Sequence, residues 1–194
     1  MSKRIAFLSA AAFGALILTA AVVAPVSAQD KMMKSEMSGE KTVMVGGAAM
    51  FPSKNIIQNA VNSKDHTTLV AAVKAAGLVE TLEGKGPFTV FAPTNAAFGK
   101  LPAGTVDTLV KPENKSTLTK ILTYHVVAGK LEASSLTDGK KLKTVEGEEL
   151  TVKKSADKVM IVDAKGGSST VTIPNVNQSN GVIHVVDTVL MPAS

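Results

Sequence analysis

The apolar pattern of this chain changes period between its two halves, which no fold built from one kind of element accommodates. In the first half, apolar residues recur three and four positions apart, the helical spacing. Leu69, Val70, Val73 and Ala76 fall on one face, with Asp65 placed to cap that helix and Gly77 to stop it. Leu78 to Leu82 reads as a further short helical turn, and short helices are expected from about Asn95 and near Val106 to Val110. After Pro112, which suits a first helical turn, Leu118, Ile121, Leu122 and His125 share one face of a longer helix. In the second half the period is that of strands. Leu142 to Val145, Leu150 to Lys153, Val159 to Val162 and Val171 to Ile173 are short runs rich in β-branched residues. Glu146-Gly147, Ala156-Asp157 and Gly166-Gly167 separate them. Asn180-Gly181 is a hairpin signal leading into a last strand, Val182 to Leu190. Helices first and antiparallel strands later predict an α+β domain rather than alternating α/β.

One stretch crosses that division. "FTVFAPTNAAF", Phe88 to Phe98, reads as a strand that stops at Pro93 and turns into a helix from Asn95. The strand must join the later sheet across a long sequence gap. Phe88 and Val90 point one way and Phe91 the other, so both faces can be buried, while Phe98 packs back from the helix. Such corners also hold active sites, because a helix N-terminus offers free backbone N–H groups. Thr94 is therefore either a nucleophile or an N-cap. The cap is the commoner role for this residue type after a strand, and Pro93 fits it by ending ladder pairing where the chain turns.

Catalytic motifs are missing elsewhere. The sequence holds no G-x-S-x-G, no phosphate loop ending in GK[ST] and no H-E-x-x-H. It has no cysteine, and its three histidines, His66, His125 and His184, are not spaced as a local metal pair. His184 and Asp187 look like part of a relay, but three positions along a strand face opposite ways. A histidine on an apolar face is more often a hydrogen-bonded core residue. His125 is accordingly expected to be buried and neutral, with a folded pKa below about 6.5. Tyr124, one position round, is expected to reach solvent with its hydroxyl. No metal site and no cofactor are predicted.

The N-terminus reads as an export signal. Lys3 and Arg4 precede an apolar run, Ile5 to Ala24, and Val26-Ser27-Ala28 forms a small-residue cleavage site before Gln29. An uncleaved anchor is the alternative. Without cysteine a lipid-anchored bacterial form is excluded. Residues 29–53 are expected to be a flexible, methionine-rich lead-in, with the folded domain over 54–194. Met32, Met33 and Met37 are either linker or a soft metal site. Removing Lys3 and Arg4 leaves a net charge of +5 − 2 = +3, carried by lysines alone, since Arg4 is the only arginine. The absence of guanidinium groups, and of aromatic residues after Tyr124, argues against nucleic acid and phosphoryl chemistry. Lys140, Lys141, Lys143, Lys153, Lys154 and Lys158 flank adjacent strands among Glu146, Glu148 and Glu149. They form either a charged sheet edge that resists aggregation or a weak patch for acidic polysaccharide.

Three stretches together resemble one family. "FTVFAPTNAAF", with Phe88, Phe91, Pro93, Thr94, Asn95 and Phe98, resembles the first signature of the fasciclin domain. "ILTYHVV", Ile121 to Val127, resembles its central Tyr-His segment, and "NGVIHVVDTVLMP", Asn180 to Pro192 with His184 and Asp187, resembles its closing signature. Their order and spacing also fit. The resemblance implies a compact α+β wedge, an antiparallel-rich sheet with several helices packed on it, whose first and last signatures lie side by side. It further implies a secreted or periplasmic, non-enzymatic adhesion or surface-interaction module, expected to be a monomer, with a surface or matrix protein or an acidic polysaccharide as partner. Tyr124 and His125 carry over as the binding segment. A periplasmic protein binding a small ligand or a metal is the alternative reading.

Overall fold

The computed structural model describes residues 41–156 and 158–193. The expected signal peptide and Met32, Met33 and Met37 lie outside the described residues.

The chain opens with a two-stranded antiparallel hairpin, β1 (Val43–Val45) and β2 (Ala48–Met50), turning at Gly46-Gly47. Val45 and Met50 are buried in the core. The expected flexible lead-in therefore reaches too far: order begins before residue 54. The polar composition ahead of residue 42 gives way to Val43, Val45, Ala48 and Met50, which are apolar enough to dock.

Six short helices follow. α1 (Ile56–Ala60) starts at a capping box in which the Asn55 side chain accepts the Gln58 N–H and the Gln58 side chain accepts the Asn55 N–H. α2 (Thr67–Ala76) ends at Gly77, whose left-handed backbone turns its N–H back to the carbonyls of Lys74 and Val73. Its start differs from the expectation. Asp65 lies within a 3-10 turn, Lys64–His66, and does not cap. The Thr68 N–H is instead taken at 3.0 Å by Asn95 Oδ1, from the corner 27 residues on. α3 (Val79–Glu83), α4 (Asn95–Gly99) and α5 (Thr105–Leu109) are single turns, and α6 (Lys115–Tyr124) follows a 3-10 turn begun by Pro112.

The remaining strands are β3 (Phe88–Pro93), β4 (Val126–Ala128), β5 (Lys141–Lys143), β6 (Glu149–Ser155), β7 (Lys158–Val162), β8 (Ser168–Gln178) and β9 (Gly181–Val186). They form one seven-stranded sheet in the order β4-β3-β9-β8-β7-β6-β5. Only β3 and β9 run parallel, Phe88 opposite Gly181 through Pro93 opposite Val186. The first and last signatures thus occupy the centre of the sheet. Pro93 stays in this register instead of ending it. β8 is bulged on either side of Ile173, and Asn175 adopts a left-handed backbone (φ 57°). Bulges increase twist and bend a strand. The sheet curls until its edges touch: Val127 bridges Thr144, and the Val145 N–H donates to the Val126 carbonyl at 2.7 Å.

The curl creates two cores. Phe91, Tyr124, Leu136, Leu150, Val152, Ile161 and Val186 fill the inside of the curled sheet. Val90, Ala92, Ile183 and Val185 point the other way, against Leu69, Val73, Phe98, Leu118 and Leu122 from the helices. A strand buried on both faces loses the polar alternation of a half-exposed one, which accounts for the unbroken apolar run of Gly181–Val186 around His184.

Candidate functional site

The strand-turn-helix corner is a joint. Phe91 is fully buried and its ring stacks on that of His184, with centroids 5.6 Å apart. Thr94 is the N-cap of α4, its hydroxyl accepting the Ala97 N–H at 3.2 Å. Asn95 ties this corner to α2: besides capping Thr68, its Nδ2 donates to the Lys64 carbonyl at 2.8 Å and to the Thr67 hydroxyl at 3.0 Å. These contacts leave Thr94 no neighbouring base among the described hydrogen bonds.

His125 follows the last residue of α6 and is buried. Its Nδ1–H donates to the Ile121 carbonyl at 2.8 Å, and its Nε2 accepts the Leu190 N–H at 2.9 Å. One bond needs a proton on Nδ1 and the other needs Nε2 bare, which together fix the neutral tautomer. Burial lowers the pKa to about 4, against the opposing pull of the Ile121 carbonyl and of Asp163. Tyr124 departs from the expectation, because its hydroxyl does not reach solvent. The oxygen accepts the Ala164 N–H at 2.9 Å and donates more weakly to the Glu149 carbonyl at 3.4 Å. Tyr124, the last residue of α6, points into the enclosed core rather than outward. Both side chains are buried.

His184 has the opposite tautomer. Its Nδ1 accepts the Asn175 N–H at 3.3 Å and its Nε2–H donates to the Leu131 carbonyl at 2.7 Å. Asn175 Oδ1 in turn accepts the Ala133 N–H, so His184 and Asn175 together hold the loop after β4 to the sheet. Burial lowers the His184 pKa, partly offset by the Leu131 carbonyl and Glu132. Asp187 is not its partner. Asp187 Oδ1 accepts from the Thr170 N–H and the Thr188 hydroxyl, and Oδ2 lies 3.5 Å from Lys100 Nζ. Burial would raise its pKa, but those contacts outweigh it and hold the carboxyl below its usual range.

Two structural centres escaped the sequence reading. Asn180 occupies the turn between β8 and β9, yet its side chain reaches into the helical layer. Oδ1 accepts the Ile56 N–H at 3.1 Å, and Nδ2 donates to the carbonyls of Leu82 (2.7 Å) and Gly84 (2.9 Å). Beside it, a Cβ on Gly181 would lie 2.0 Å from the Phe88 carbonyl oxygen, so only glycine lets the parallel pair begin there. Asp163 gathers the N–H groups of Lys165, Gly167 and Met191, fastening the C-terminal segment to the turn between β7 and β8. An aspartate three positions before a turn glycine signals the local bonds but not the distant one.

The outer face of β5–β7 is different in character. Strand alternation that sends Leu142, Leu150, Val152 and Ile161 inward sends Lys141, Lys143, Lys153 and Lys158 outward. Lys141 pairs with Glu149 at 3.1 Å, while Lys143, Lys153 and Lys158 take part in none of the ion pairs between described residues. Among the described residues, no three His, Asp or Glu side chains converge as a metal site, and no helix is long and apolar enough to cross a membrane.

Helices on one face of a curled, mixed seven-stranded sheet, with the first and last signatures paired at its centre, define a fasciclin-type fold. The solved FAS1 domain pair of the insect cell adhesion molecule Fasciclin I superimposes with a TM-score of 0.65 at 19% identity, over 73% of this chain and 52% of that one. A family model described as the fasciclin domain matches residues 64–192, and the chain belongs to that family. Protein sll1483 of Synechocystis sp. is 50% identical over 153 residues, covering 79% of this chain and 82% of that protein. Immunogenic protein MPB70 of Mycobacterium bovis is 35% identical and is covered almost end to end, 99% of this chain and 98% of that one. Cell surface glycolipoprotein MPB83, also of M. bovis, is 40% identical over 153 residues, 76% of this chain and 64% of its own.

Proposed function

We propose that the protein is an exported, non-catalytic surface-interaction module whose partner is an acidic polysaccharide held by the outer lysines of β5–β7. The observation that carries this reading is the division of labour in the structure. Four residues with chemical potential, Thr94, His125, His184 and Tyr124, are committed to caps and buried hydrogen bonds, whereas Lys143, Lys153 and Lys158 stand exposed on one open sheet face. The names of MPB83 and of the insect adhesion molecule support a cell-surface role. Ammonium groups on a pleated surface suit a flexible polyanion, since they attract charge without demanding fork geometry.

Calorimetric titration with polygalacturonate tests the reading. Binding is expected at low salt and is expected to fade as the Debye length shrinks. Changing Lys143, Lys153 and Lys158 together to Gln should weaken it at least tenfold, and uncharged dextran should not bind. Equal affinity in the triple variant would move the site elsewhere. No binding to the polyanion would discard the polysaccharide and leave a protein partner.

A further inference from the structure

Between the sheet and the helices lies a cavity of about 40 Å³. Its wall is apolar and includes Leu69 and Val73 of α2, Ile183 of β9, and Val45 and Met50 of the N-terminal hairpin. His66 is part of that wall and is 3% exposed. Its Nδ1 lies 2.9 Å from the Ser63 hydroxyl, but its Nε2 is buried without a hydrogen-bond partner. Only one other buried side-chain atom among the described residues is in that condition, Asn177 Oδ1. A buried polar atom left unpaired costs stability unless something satisfies it.

The state of the ring defines what could. Burial lowers its pKa, with the Ala92 backbone and Asp65 opposing the shift, so the ring is neutral and carries a single proton. In the tautomer whose Nδ1 accepts from the Ser63 hydroxyl, Nε2 carries the proton and is an unpaired donor in the apolar wall. We infer that this cavity is a binding site for a small neutral molecule with one oxygen acceptor on an apolar body, a ketone being the simplest, whose oxygen takes the Nε2–H of His66. Charged or many-hydroxyl compounds would lose more hydration than one donor returns. A guest of more than a few atoms needs Met50 to swing aside, and its unbranched side chain is suited to that. The site lies between the sheet and the helices, bordered also by Phe91 and His125, and is independent of any polyanion contact.

Cyclopentanone and cyclopentane, alike in shape but differing in the oxygen, test the inference by NMR titration of the full chain. Cyclopentanone is expected to shift the His66 ring resonances saturably and to bind at least tenfold more tightly than cyclopentane. That advantage should vanish in His66→Phe. Val73→Leu, which fills the cavity with an apolar group, should abolish binding of both while the protein stays folded, and it decides the matter if His66→Phe does not fold. Equal affinity for the two compounds, no saturable shift of His66, or a crystal soaked in cyclopentanone that shows only a water on Nε2 would overturn the inference.

Discussion

The core inside the curled sheet and the core between sheet and helices use similar side chains but are finished differently. In the first, Phe91, Leu136, Leu150 and Ile161 are fully buried, and Tyr124 spends its hydroxyl on two backbone groups. In the second, a cavity remains and His66 keeps an unpaired nitrogen. Closure explains the difference. A sheet whose edges meet encloses its inner side chains on all sides, and each strand contributes alternate residues at fixed spacing. The helical layer is assembled from small pieces instead. α1, α3, α4 and α5 have five residues each; α1 buries four of them, but α4 buries two, α3 one and α5 none. Such helices depend on tertiary contacts for their existence. Their layer is therefore held by long-range polar ties, such as Asn180 to Ile56 and Asn95 to Thr68, and its packing leaves a gap.

This contrast has measurable consequences. Phe91→Ala, in the sealed core, should cost about 3–5 kcal/mol in denaturant melts, whereas Leu69→Ala, beside the existing cavity, should fall near 2–3 kcal/mol. Equal costs would mean that the two cores are equally well packed. Acid should act next most strongly, through His125, which touches both regions. Its folded pKa of about 4 lies below the unfolded 6.5, so between those values the unfolded chain binds the extra proton. Stability is then complete above about pH 6.5 and declines as pH falls towards 4, by about 3 kcal/mol for this group. His66 and His184, also lowered by burial, act in the same direction. Equilibrium unfolding at pH 7.5 and pH 4.5 measures the loss. Thr94→Ala should have the smallest effect, about 1 kcal/mol, because it removes a single cap at a corner that Asn95 and the β3–β9 pairing still hold.

What the sequence made legible was local. The α2 periodicity, the Thr94 cap and the two-sided burial of β3 follow from neighbouring residues. Readings failed where the partner is distant in the chain. Asp65 looked like a cap because Asn95 is 30 positions away, and Tyr124 looked solvent-directed because Ala164 is 40 positions away. β4 and the N-terminal hairpin strands have three residues each, too few to display a period. The curl depends on bulges in β8 and on the Val127–Thr144 bridge, neither of which has a compositional signature.

The Tyr-His segment and the closing signature act as internal ties, through the bonds of His125 to Ile121 and Leu190 and of His184 to Leu131 and Asn175. Long-range ¹H–¹⁵N correlation of the imidazoles across pH tests this most directly. The expected spectra show His125 protonated on Nδ1 and His184 on Nε2 at neutral pH, with His125 still neutral at pH 5.5 in the folded protein. Ordinary titration of His125 near pH 6.5, or exchange between its tautomers, would show that its bonds to Ile121 and Leu190 do not persist, and would return the segment to the protein surface.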